Sequence, residues 1–444
     1  MNILLSAHFD QLKNPERIAF LEKVHANLPP GVKLIAFNLS GQATASFQVI
    51  MGYDEKPKPF TNARDRLRLR LLSLLGNRAG ALYEHAISEL AALGGNADRH
   101  IMGFLRRVER FVEAVEKYRP GYCYLWNQFN AFHNVAEAYL RDRGINVGFF
   151  HDGVLPGSIA LDFDGEMGGS WVSIRHDELN EIPITDAQLA AASDFLRMVT
   201  DKSLSRHKQV EKILVAEAIE AAGLGGKKMI FYAGQNDWHA GIQPDGERRL
   251  IHSPLYASSL EPLYDLDRLA QLNDWVVVFK PHPLDRDKYS FLRADEFSNT
   301  LILASTDTNV CIDRCDVFMT IASQTCYTAA LRGKPVIMLG KNQIVGKGIT
   351  YDVENREVLQ EKILIALQDP LGSSRSAQLA RHAAQLERAY LFDFGFLENK
   401  FYTRGPREFA QLIAYAMGRH PQQTIQDTLR VSRGEVLSTK SVAA

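Results

Sequence analysis

Residues 275–283 read WVVVFKPHP, the clearest strand and strand exit in this sequence. The first five residues form a short apolar run, which is typical of a strand buried on both faces of a parallel sheet. The next residues are polar or constrained, with Lys280 first and His282 between two prolines. Because α/β sheets bind ligands beyond the carboxyl ends of their strands, polar residues directly after such runs are candidates for a functional site.

The same pattern recurs on both sides of this stretch. Short apolar runs alternate with helix-length segments, which is typical of βαβ units and parallel sheets. The runs cover residues 3–5, 32–37, 122–126, 146–150, 229–233, 275–279, 301–303, 317–320 and 335–339. Helical patterns cover residues 62–117, 131–143, 185–220 and 377–419. We therefore predict an α/β protein with two Rossmann-like domains that face a cleft.

The glycine-rich segment GLGGKK at residues 223–228 precedes a strand and lacks the Gly-Lys-Ser/Thr ending of a phosphate loop, so we interpret it as a linker. From it we predict an N-terminal Rossmann-like domain over residues 1–222 and a C-terminal one over 223–375. Helices should cover 376–421, and residues 422–444 should form a flexible tail because they contain no long apolar run.

Composition excludes several classes of protein. The 444 residues include 51 Lys and Arg against 52 Asp and Glu, so no global basic field exists to hold nucleic acid. A hydrophobic share of 46% and a charged share of 23% exclude a disordered or fibrous chain. Without a basic signal-peptide start or an apolar run of about 18 residues, we expect a soluble, cytoplasmic protein.

Metal-binding patterns in the sequence are weak. Cys311 and Cys315 could supply two zinc ligands, but no second Cys or His pair stands at a zinc-site spacing. The Asp-x-Asp pattern of some metal-dependent transferases occurs three times, at residues 162–164, 265–267 and 285–287, and none clearly lies at a strand end. We predict no resident metal and no other cofactor.

The first candidate site follows the run at residues 146–150. His151, Asp152 and Gly153 come directly after it, and an acid at a strand end can act as general base toward a hydroxyl. The alternative is a turn in which Asp152 bonds local backbone and Gly153 supplies a positive φ. The local sequence leaves both interpretations open.

The second candidate site follows the run at residues 229–233. Gly234 lets the backbone approach a ligand closely, and Gln235 and Asn236 present amides beside the Asp237 carboxylate. Such a carboxylate can act as a nucleophile or stabilise an oxocarbenium-like centre. The alternative is an Asx-type helix cap.

Two further strand exits carry groups suited to phosphate. Lys280 and His282 are cationic or hydrogen-bonding side chains held by prolines. The residues Ser323, Gln324 and Thr325 precede a predicted helix, whose N-terminus can bind an anion or be capped by these side chains. A later loop at residues 346–351, which contains Lys347, can close over a ligand.

Three such sites in the second domain, with Asp152 from the first domain, point to one phosphate-bearing donor. This is the layout of a two-domain glycosyltransferase of the GT-B type. The triplet of His151-Asp152-Gly153, His282-Pro283 and Ser323-Gln324-Thr325 resembles the motifs of bacterial CMP-sugar transferases, sialyltransferases included. His151 stands where those motifs have an acid.

The longer context, over roughly residues 120–355, resembles the retaining β-Kdo transferases of capsule and O-antigen polysaccharide assembly. The resemblance rests on residues 152–157, 235–237, 330–336 and 346–350. It implies a metal-independent transferase that uses CMP-Kdo, with Asp237 as covalent nucleophile and Asp152 as an acid/base group. The nucleotide-sugar-binding residues would be Gln235, Asn236, Lys280, His282, Ser323, Gln324, Thr325 and Lys347.

The implied acceptor is a glycan or a lipid-linked saccharide, and the resemblance allows peripheral contact with the inner membrane or with other polysaccharide assembly enzymes. Two alternatives stay open. One is an inverting CMP-sialic-acid transferase in which Asp152 alone is the base and Asp237 is structural. The other is a non-catalytic CMP-sugar-binding protein with a GT-B-like fold.

Overall fold

The computed structural model describes residues 1–6, 15–38, 46–51, 62–201, 214–283, 296–395, 397 and 399–435. The chain forms two compact units, which are described separately below. Unit 1 consists of Met1–Gly153, Gly157–Glu166 and Glu387–Ala444, and unit 2 of Val154–Pro156 and Met167–Leu386.

Strands and helices alternate through most of the described chain. The strands are β1 (Asn2–Ser6), β2 (Lys33–Asn38), β3 (Gln48–Met51), β4 (Tyr122–Leu125), β5 (Asn146–Asp152), β6 (Ser158–Asp162), β7 (Lys228–Ala233), β8 (Trp275–Lys280), β9 (Thr300–Ile302), β10 (Val317–Thr320), β11 (Val336–Met338), β12 (Tyr351–Asp352) and β13 (Leu391–Asp393). The helices are α1 (Pro15–Ala26), α2 (Ala63–Leu75), α3 (Ala79–Ala92), α4 (Ala97–Tyr118), α5 (Ala131–Asp142), α6 (Trp171–Ile174), α7 (His176–Asn180), α8 (Asp186–Asp201), α9 (Val215–Ala221), α10 (Arg249–His252), α11 (Glu261–Asn273), α12 (Thr308–Arg314), α13 (Thr325–Leu331), α14 (Leu359–Gln368), α15 (Gly372–Ala389), α16 (Pro406–Ala416) and α17 (Pro421–Ser432).

Unit 1 is built on a sheet in the order β13-β6-β5-β4-β1-β2-β3. The strands β3, β2, β1, β4 and β5 are parallel to one another, whereas β6 pairs antiparallel with β5, and β13 pairs antiparallel with β6 at the edge of the sheet. The antiparallel pair is formed by segments far apart in sequence, since Leu391 of β13 lies opposite Ala160 of β6. The C-terminal part of the chain thereby completes the sheet of the N-terminal part.

Unit 2 is built on a wholly parallel sheet in the order β12-β11-β10-β7-β8-β9. Counted from β7, this is the doubly wound order 3-2-1-4-5-6 of dinucleotide-binding folds. The strand β8, between β7 and the edge strand β9, is buried along its whole length, and Val276, Val277 and Val278 are inaccessible to solvent. The predicted α/β architecture with two Rossmann-like sheets is confirmed.

The bounds of the two units differ from the predicted domains. Residues 167–222 belong to unit 2, and the chain returns to unit 1 at Glu387. The region predicted as C-terminal helices also contains the strand β13. The physical reason is the long-range pairing of β13 with β6, which no local pattern of hydrophobicity reveals.

The predicted flexible tail begins with a packed helix. Within α17, Ile425 and Leu429 are fully buried, and the helix contacts α16 and β5 of unit 1. Three-residue and four-residue spacing of apolar side chains, rather than a continuous apolar run, produces this buried face. The part of the predicted tail at residues 436–444 lies outside the described residues.

Helix α2 contains four arginines at alternate positions, in the segment RDRLRLR at residues 64–70. Its buried stripe consists of Leu67, Leu71 and Leu75, while Arg64, Arg66 and Arg68 are exposed. Because residues two apart lie on different faces of a helix, these arginines form no single stripe.

None of the helices in the described ranges is both long enough and apolar enough to span a membrane.

We expect Ile425→Ala to lower the free energy of unfolding by about 2–5 kcal/mol, because it leaves a cavity between α17 and its neighbours. Val431→Ala, on the exposed face of the same helix, should change the free energy of unfolding by less than about 0.5 kcal/mol. Urea denaturation followed by circular dichroism measures both. Equal, small effects of the two substitutions would contradict the packing of α17.

Candidate functional site

The strand order of unit 2 reverses next to β7, which lies between β8 and β10. At such a reversal the connections leave toward opposite faces of the sheet, which opens a crevice beyond the carboxyl ends of the two strands. The crevice lies between the segment after β7, at residues 234–243, and the segment after β10, at residues 321–324. The candidate residues Gln235, Asn236 and Asp237 therefore face the loop of Ser323 and Gln324.

Gln235 links the two loops at this crevice. Its Oε1 accepts a hydrogen bond from the backbone N–H of Ala322 at 3.0 Å, which fixes the orientation of the side-chain amide. Gln235 is only 4% exposed, and its Nε2 is buried and has no hydrogen-bond partner among the described residues. A buried amide group that donates no hydrogen bond is costly, so Gln235 offers a donor for a ligand at the strand reversal.

Asp237 is anchored by Ser259. The hydroxyl Oγ of Ser259 donates to Asp237 Oδ1 at 2.5 Å, and its backbone N–H donates to Oδ2 at 3.0 Å. The Asx-type cap proposed as an alternative is formed by Asn236, whose Oδ1 accepts from the N–H of His239 at 2.8 Å. The Asp237 carboxylate is thus held in one orientation at the strand exit.

The loop after β10 makes mostly local hydrogen bonds. Ser323 Oγ lies 3.0 Å from Thr325 Oγ1 and accepts from the Thr325 N–H at 3.3 Å. The helix α13 that follows has seven residues, so the hydroxyls rather than a long helix dipole dominate this exit. Oε1 of Gln324 is buried without a partner among the described residues.

Lys280 points toward α12. Its side chain is 6% exposed, and Nζ donates to Thr308 Oγ1 at 2.9 Å. Burial lowers the pKa of Lys280, and nearby Cys311 and Asp307 partly offset this. His282 lies half-buried two residues beyond β8. Both residues are at the carboxyl edge of the sheet, where β7 separates β8 from β10.

Gly234 is required by the protein itself. A Cβ at this position would lie 2.8 Å from the ring of Phe279 and 3.2 Å from the carbonyl oxygen of Lys280. We predicted from the sequence that Gly234 lets the backbone approach a ligand closely. In the structure, the close contact at Gly234 is with the neighbouring strand β8. Any larger residue at position 234 would separate β7 from β8.

Lys347 lies in the loop after β11, which is tied to the β10 exit. Asn342 of this loop donates through Nδ2 to the carbonyl oxygen of Ala322 at 3.2 Å. Lys347 is 7% exposed, and its Nζ donates to Val172 O at the long distance of 3.4 Å. Burial lowers the pKa of Lys347 to about 8, although Asp177 and Asp352 act in the opposite direction. A buried ammonium group without a close carboxylate is typical of a functional site.

Asp152 lies in unit 1, at the end of β5. Arg17 Nη2 donates to both of its carboxylate oxygens, at 2.9 and 3.1 Å, and the guanidinium carbon lies 4.9 Å from the centre of the Trp126 ring. His151 Nε2 is 3.0 Å from the hydroxyl oxygen of Tyr390. An ion pair with Arg17, rather than a second acid, is therefore the direct partner of Asp152.

Gly153 does not have the positive φ of the alternative turn interpretation. A Cβ there would lie 2.0 Å from Ser158 Oγ, so the residue is small because β5 and β6 approach each other closely. The Gly153 N–H donates to Ser158 O at 2.9 Å. The turn after Asp152 is thus shaped by strand pairing.

Glu166 is a candidate functional residue that the sequence did not reveal. It is 4% exposed, and its Oε1 accepts from the N–H of Asn127 at 3.0 Å. Burial raises the pKa of Glu166 well above its usual range, and the charges of Asp162 and Asp152 add to this. Asn127 holds a left-handed backbone, with φ of 88°, at the exit of β4. The sequence contained one indication of a site here, which was the polar segment that follows β4.

The described Asp-x-Asp patterns serve as structural acceptors. Asp162 Oδ1 accepts from the backbone N–H groups of Asp164 and Gly165. Asp267 Oδ1 accepts from Asn299 N and Thr300 Oγ1.

The pattern at residues 285–287 lies outside the described residues. Within the described ranges, no group of three or more His, Cys, Asp or Glu side chains is placed to hold a metal ion.

The structure thus places nine of the ten predicted site residues in unit 2 and Asp152 in unit 1. Hydrogen bonds through Ala322 join the loops after β7, β10 and β11, which carry the residues Gln235, Asn236, Asp237, Ser323, Gln324, Thr325 and Lys347. Lys280 ends β8 and His282 follows it, and the carbonyl oxygen of Lys280 accepts from the Gly234 N–H at 2.9 Å, which joins this exit to the loop after β7.

Residues 263–385 match the model of a protein family described as Capsule polysaccharide biosynthesis protein. The matched segment begins in α11, ends in α15 and covers less than half of the chain. It includes Lys280, His282, the loop of Ser323 and Lys347. No curated protein matches the chain by sequence.

Several solved structures are similar to this chain. Two are from Thermosulfurimonas dismutans: KpsC, beta Kdo 2,7 transferase, matches at 18% identity and a TM-score of 0.37 over 58% of this chain and 80% of that chain. KpsC, beta Kdo 2,4 transferase, matches at 13% identity and a TM-score of 0.41 over 60% and 80%. WaaG, a glycosyltransferase involved in lipopolysaccharide biosynthesis, matches at 12% identity and a TM-score of 0.37 over 93% and 99%.

We expect Glu166→Gln to become more stable than the wild type as the pH rises from 5 to 8. A carboxyl group whose folded-state pKa is raised stabilises the fold below its unfolded-state pKa, and this stability is lost as pH rises toward the folded-state value. Glutamine does not titrate, so the difference in unfolding free energy grows, by at most about 1.4 kcal/mol per pH unit. Denaturant titrations across this pH range measure it. Glu84→Gln, an exposed position in unit 1, is the control, and a pH-independent difference for Glu166→Gln would contradict its burial as a neutral acid.

We expect Lys347→Met to stabilise the protein at pH 7 by up to about 3 kcal/mol, since the lowered pKa reflects the cost of burying the charge. This cost is fully present below pH 8 and disappears as pH rises toward the unfolded-state value of 10.5. The gain should therefore shrink between pH 8 and pH 10, as measured by denaturant titration. Lys341→Met, at an exposed lysine of the same loop, should show no such pH dependence. A destabilised Lys347→Met variant would contradict the prediction.

Proposed function

We propose that this chain is a glycosyltransferase that moves Kdo from CMP-Kdo to a glycan or lipid-linked saccharide with retention of configuration. The observation that carries the proposal is the position of Asp237. It lies at the strand reversal of unit 2, and Ser259 holds its carboxylate in one orientation beside the unpaired amide of Gln235. We interpret this arrangement as support for a carboxylate that acts on a bound ligand.

The family match supports the broader part of the proposal. Residues 263–385 match a family whose description names capsule polysaccharide biosynthesis, and this segment contributes β8, β10 and β11 with their exits. A sugar transfer reaction fits both that description and the ligand crevice of unit 2. The choice of Kdo as the sugar comes from the sequence resemblance.

The chemistry of Kdo explains why a carboxylate is needed. The anomeric carbon of Kdo bears a carboxylate and no hydrogen, so its reaction proceeds through an oxocarbenium-like state. In the first step, an oxygen of Asp237 forms a bond to this carbon as the bond to the CMP phosphate oxygen breaks, and CMP leaves with the bonding electron pair. In the second step, an acceptor hydroxyl displaces Asp237. Two inversions give overall retention.

Ser259 suits Asp237 to this role. An ionised carboxylate offers about four acceptor positions, and the two hydrogen bonds from Ser259 use two of them. The orientation of the nucleophile is then fixed before the donor binds, which lowers the entropy cost of reaching the transition state. Ser259→Ala should accordingly reduce adduct formation while leaving the Asp237 side chain in place.

The departing phosphate needs hydrogen-bond donors. We assign this role to the hydroxyls of Ser323 and Thr325, the amide Nε2 of Gln235 and the side chain of His282, with Asn236 and Gln324 lining the same exits. Lys280 contributes its positive charge, although its Nζ is hydrogen-bonded to Thr308. Fixed donors aimed at a developing negative charge stabilise the transition state of such a step. We propose that no resident metal takes part.

Asp152 is our proposed acid/base group for the acceptor hydroxyl. To accept a proton it must weaken its ion pair with Arg17, so the strength of this ion pair would control how easily Asp152 accepts the proton.

Peripheral contact with a membrane is a further proposal, for which the exposed Leu69 and Leu72 beside the exposed arginines Arg66 and Arg68 offer a surface.

One observation favours the alternative of an inverting CMP-sugar transferase. Both oxygens of Asp237 accept hydrogen bonds from Ser259, an arrangement that also serves a purely structural residue. In that case Asp152 alone would activate the acceptor hydroxyl, and the donor would react in a single displacement. The two mechanisms differ in whether a sugar becomes bound to the protein.

The test is intact-protein mass spectrometry after incubation with CMP-Kdo generated in situ. We expect a Kdo-sized adduct on the wild type and its absence on Asp237→Ala and Asp237→Asn. Asp245→Asn serves as a matched control, because Asp245 is an exposed carboxylate in the same unit that pairs with Arg249. It should form the adduct as the wild type does.

Other results would overturn the proposal. CMP release that requires Asp152 and gives no adduct would establish single displacement. CMP binding without turnover of any acceptor would establish a binding protein. An adduct that persists on Asp237→Ala would place the nucleophile elsewhere.

A further inference from the structure

We propose that Lys347, His382 and Gln343 of unit 2 form the binding site for the carboxylate of the donor sugar. The identity of the donor as a sugar acid rests on the proposed function, whereas the anion site itself rests on the buried polar atoms of these three side chains. None of the three residues is used by the proposed chemistry at the anomeric carbon.

Gln343 provides the first indication of a ligand. Its side chain is fully inaccessible to solvent, yet neither its Nε2 nor its Oε1 has a hydrogen-bond partner among the described residues. Its neighbour Asn342 holds the loop in place through hydrogen bonds to Ala322 O and Cys326 Sγ. A buried amide with no partner costs about 1–3 kcal/mol, which a ligand accepting from Nε2 would recover.

His382 provides a second donor. Its Nε2 lies 3.0 Å from the hydroxyl oxygen of Tyr327, while its Nδ1 is buried and has no partner among the described residues. Burial and the nearby charge of Lys347 lower the pKa of His382 well below its usual range, so the ring is neutral. When the Tyr327 hydroxyl donates to Nε2, the proton of the neutral ring resides on Nδ1. That N–H then points to an acceptor supplied from outside the described chain.

Lys347 supplies one positive charge. The ammonium group lies close enough to His382 to affect its protonation, and its Nζ makes a long hydrogen bond of 3.4 Å to Val172 O. The acidic groups that face it, Asp177 and Asp352, do not form close ion pairs with it within the described ranges. One cation and two neutral donors match a single negative charge.

A carboxylate fits this set better than a phosphate. A phosphate dianion would leave one charge uncompensated in a buried site, which is strongly unfavourable, and Asp177 and Asp352 would add repulsion. The cluster also adjoins the loop of the proposed phosphate donors, because Asn342, the residue before Gln343, donates to the carbonyl oxygen of Ala322, the residue before Ser323. In CMP-Kdo the carboxylate and the phosphate oxygen are attached to the same carbon, so adjoining sites for the two groups are required.

The test is calorimetric titration of the full chain with four separate probes: Kdo, its methyl ester, CMP and inorganic phosphate. We expect Kdo to bind the wild type and Lys341→Met, and to bind Lys347→Met and Gln343→Leu at least about tenfold more weakly. The methyl ester should bind the wild type as weakly as Kdo binds Lys347→Met. CMP should bind all four proteins equally. Gln343→Leu replaces an amide by an apolar group of similar size, so it keeps the test valid if Lys347→Met fails to fold.

The outcomes separate this inference from the proposed function. Equal binding of Kdo to the wild type and both variants overturns the carboxylate site, whatever the adduct experiment shows. Loss of CMP or inorganic phosphate binding in Lys347→Met overturns it as well, by assigning Lys347 to the phosphate. If N-acetylneuraminate binds in a Lys347-dependent manner and Kdo does not, the carboxylate site stands and the proposed donor is wrong.

Discussion

The pairing of β7 with both β8 and β10 determines where unit 2 can hold a ligand. Parallel pairing forces the three strands to end at the same edge of the sheet, and the reversal of strand order opens a crevice there. The loops after β7 and β10 are then joined by the hydrogen bond from Ala322 N to Gln235. This link fixes Gln235, at the start of the β7 exit, relative to the β10 exit.

The interior of unit 2 near this edge is more polar than folding alone requires. Gln235, Gln343 and His382 each bury a polar atom without a partner among the described residues, and Lys347 buries a charge. Each of these groups costs stability, since desolvation is not repaid by hydrogen bonds. By contrast, residues 275–279 of β8 in the same sheet are apolar and buried. Polar groups kept at a cost to stability are typical of sites that bind or transform a ligand.

The candidate acidic residues of the two units have different partners. In unit 2, Asp237 accepts hydrogen bonds from two neutral donors of Ser259, which orient its carboxylate. In unit 1, Asp152 is paired with Arg17, and burial raises the pKa of the neighbouring Glu166. We propose that the oriented Asp237 serves as the nucleophile and that Asp152 takes part in proton transfer.

The sequence by itself determined the α/β class, the strands with continuous apolar runs and the strand exits that carry Asp152, Asp237 and Ser323, because burial on both faces of a parallel sheet requires such runs. It did not reveal short or solvent-edge strands such as β13, nor the packing of α17, since both depend on partners distant in the chain. Only the tertiary structure decided which side chains of the site are satisfied. Whether a carboxylate meets an arginine, as Asp152 does, or a serine, as Asp237 does, depends on contacts between residues that are 135 and 22 positions apart. Glu166 shows the same limit, because its burial and the raised pKa of its carboxyl group arise from the fold around it.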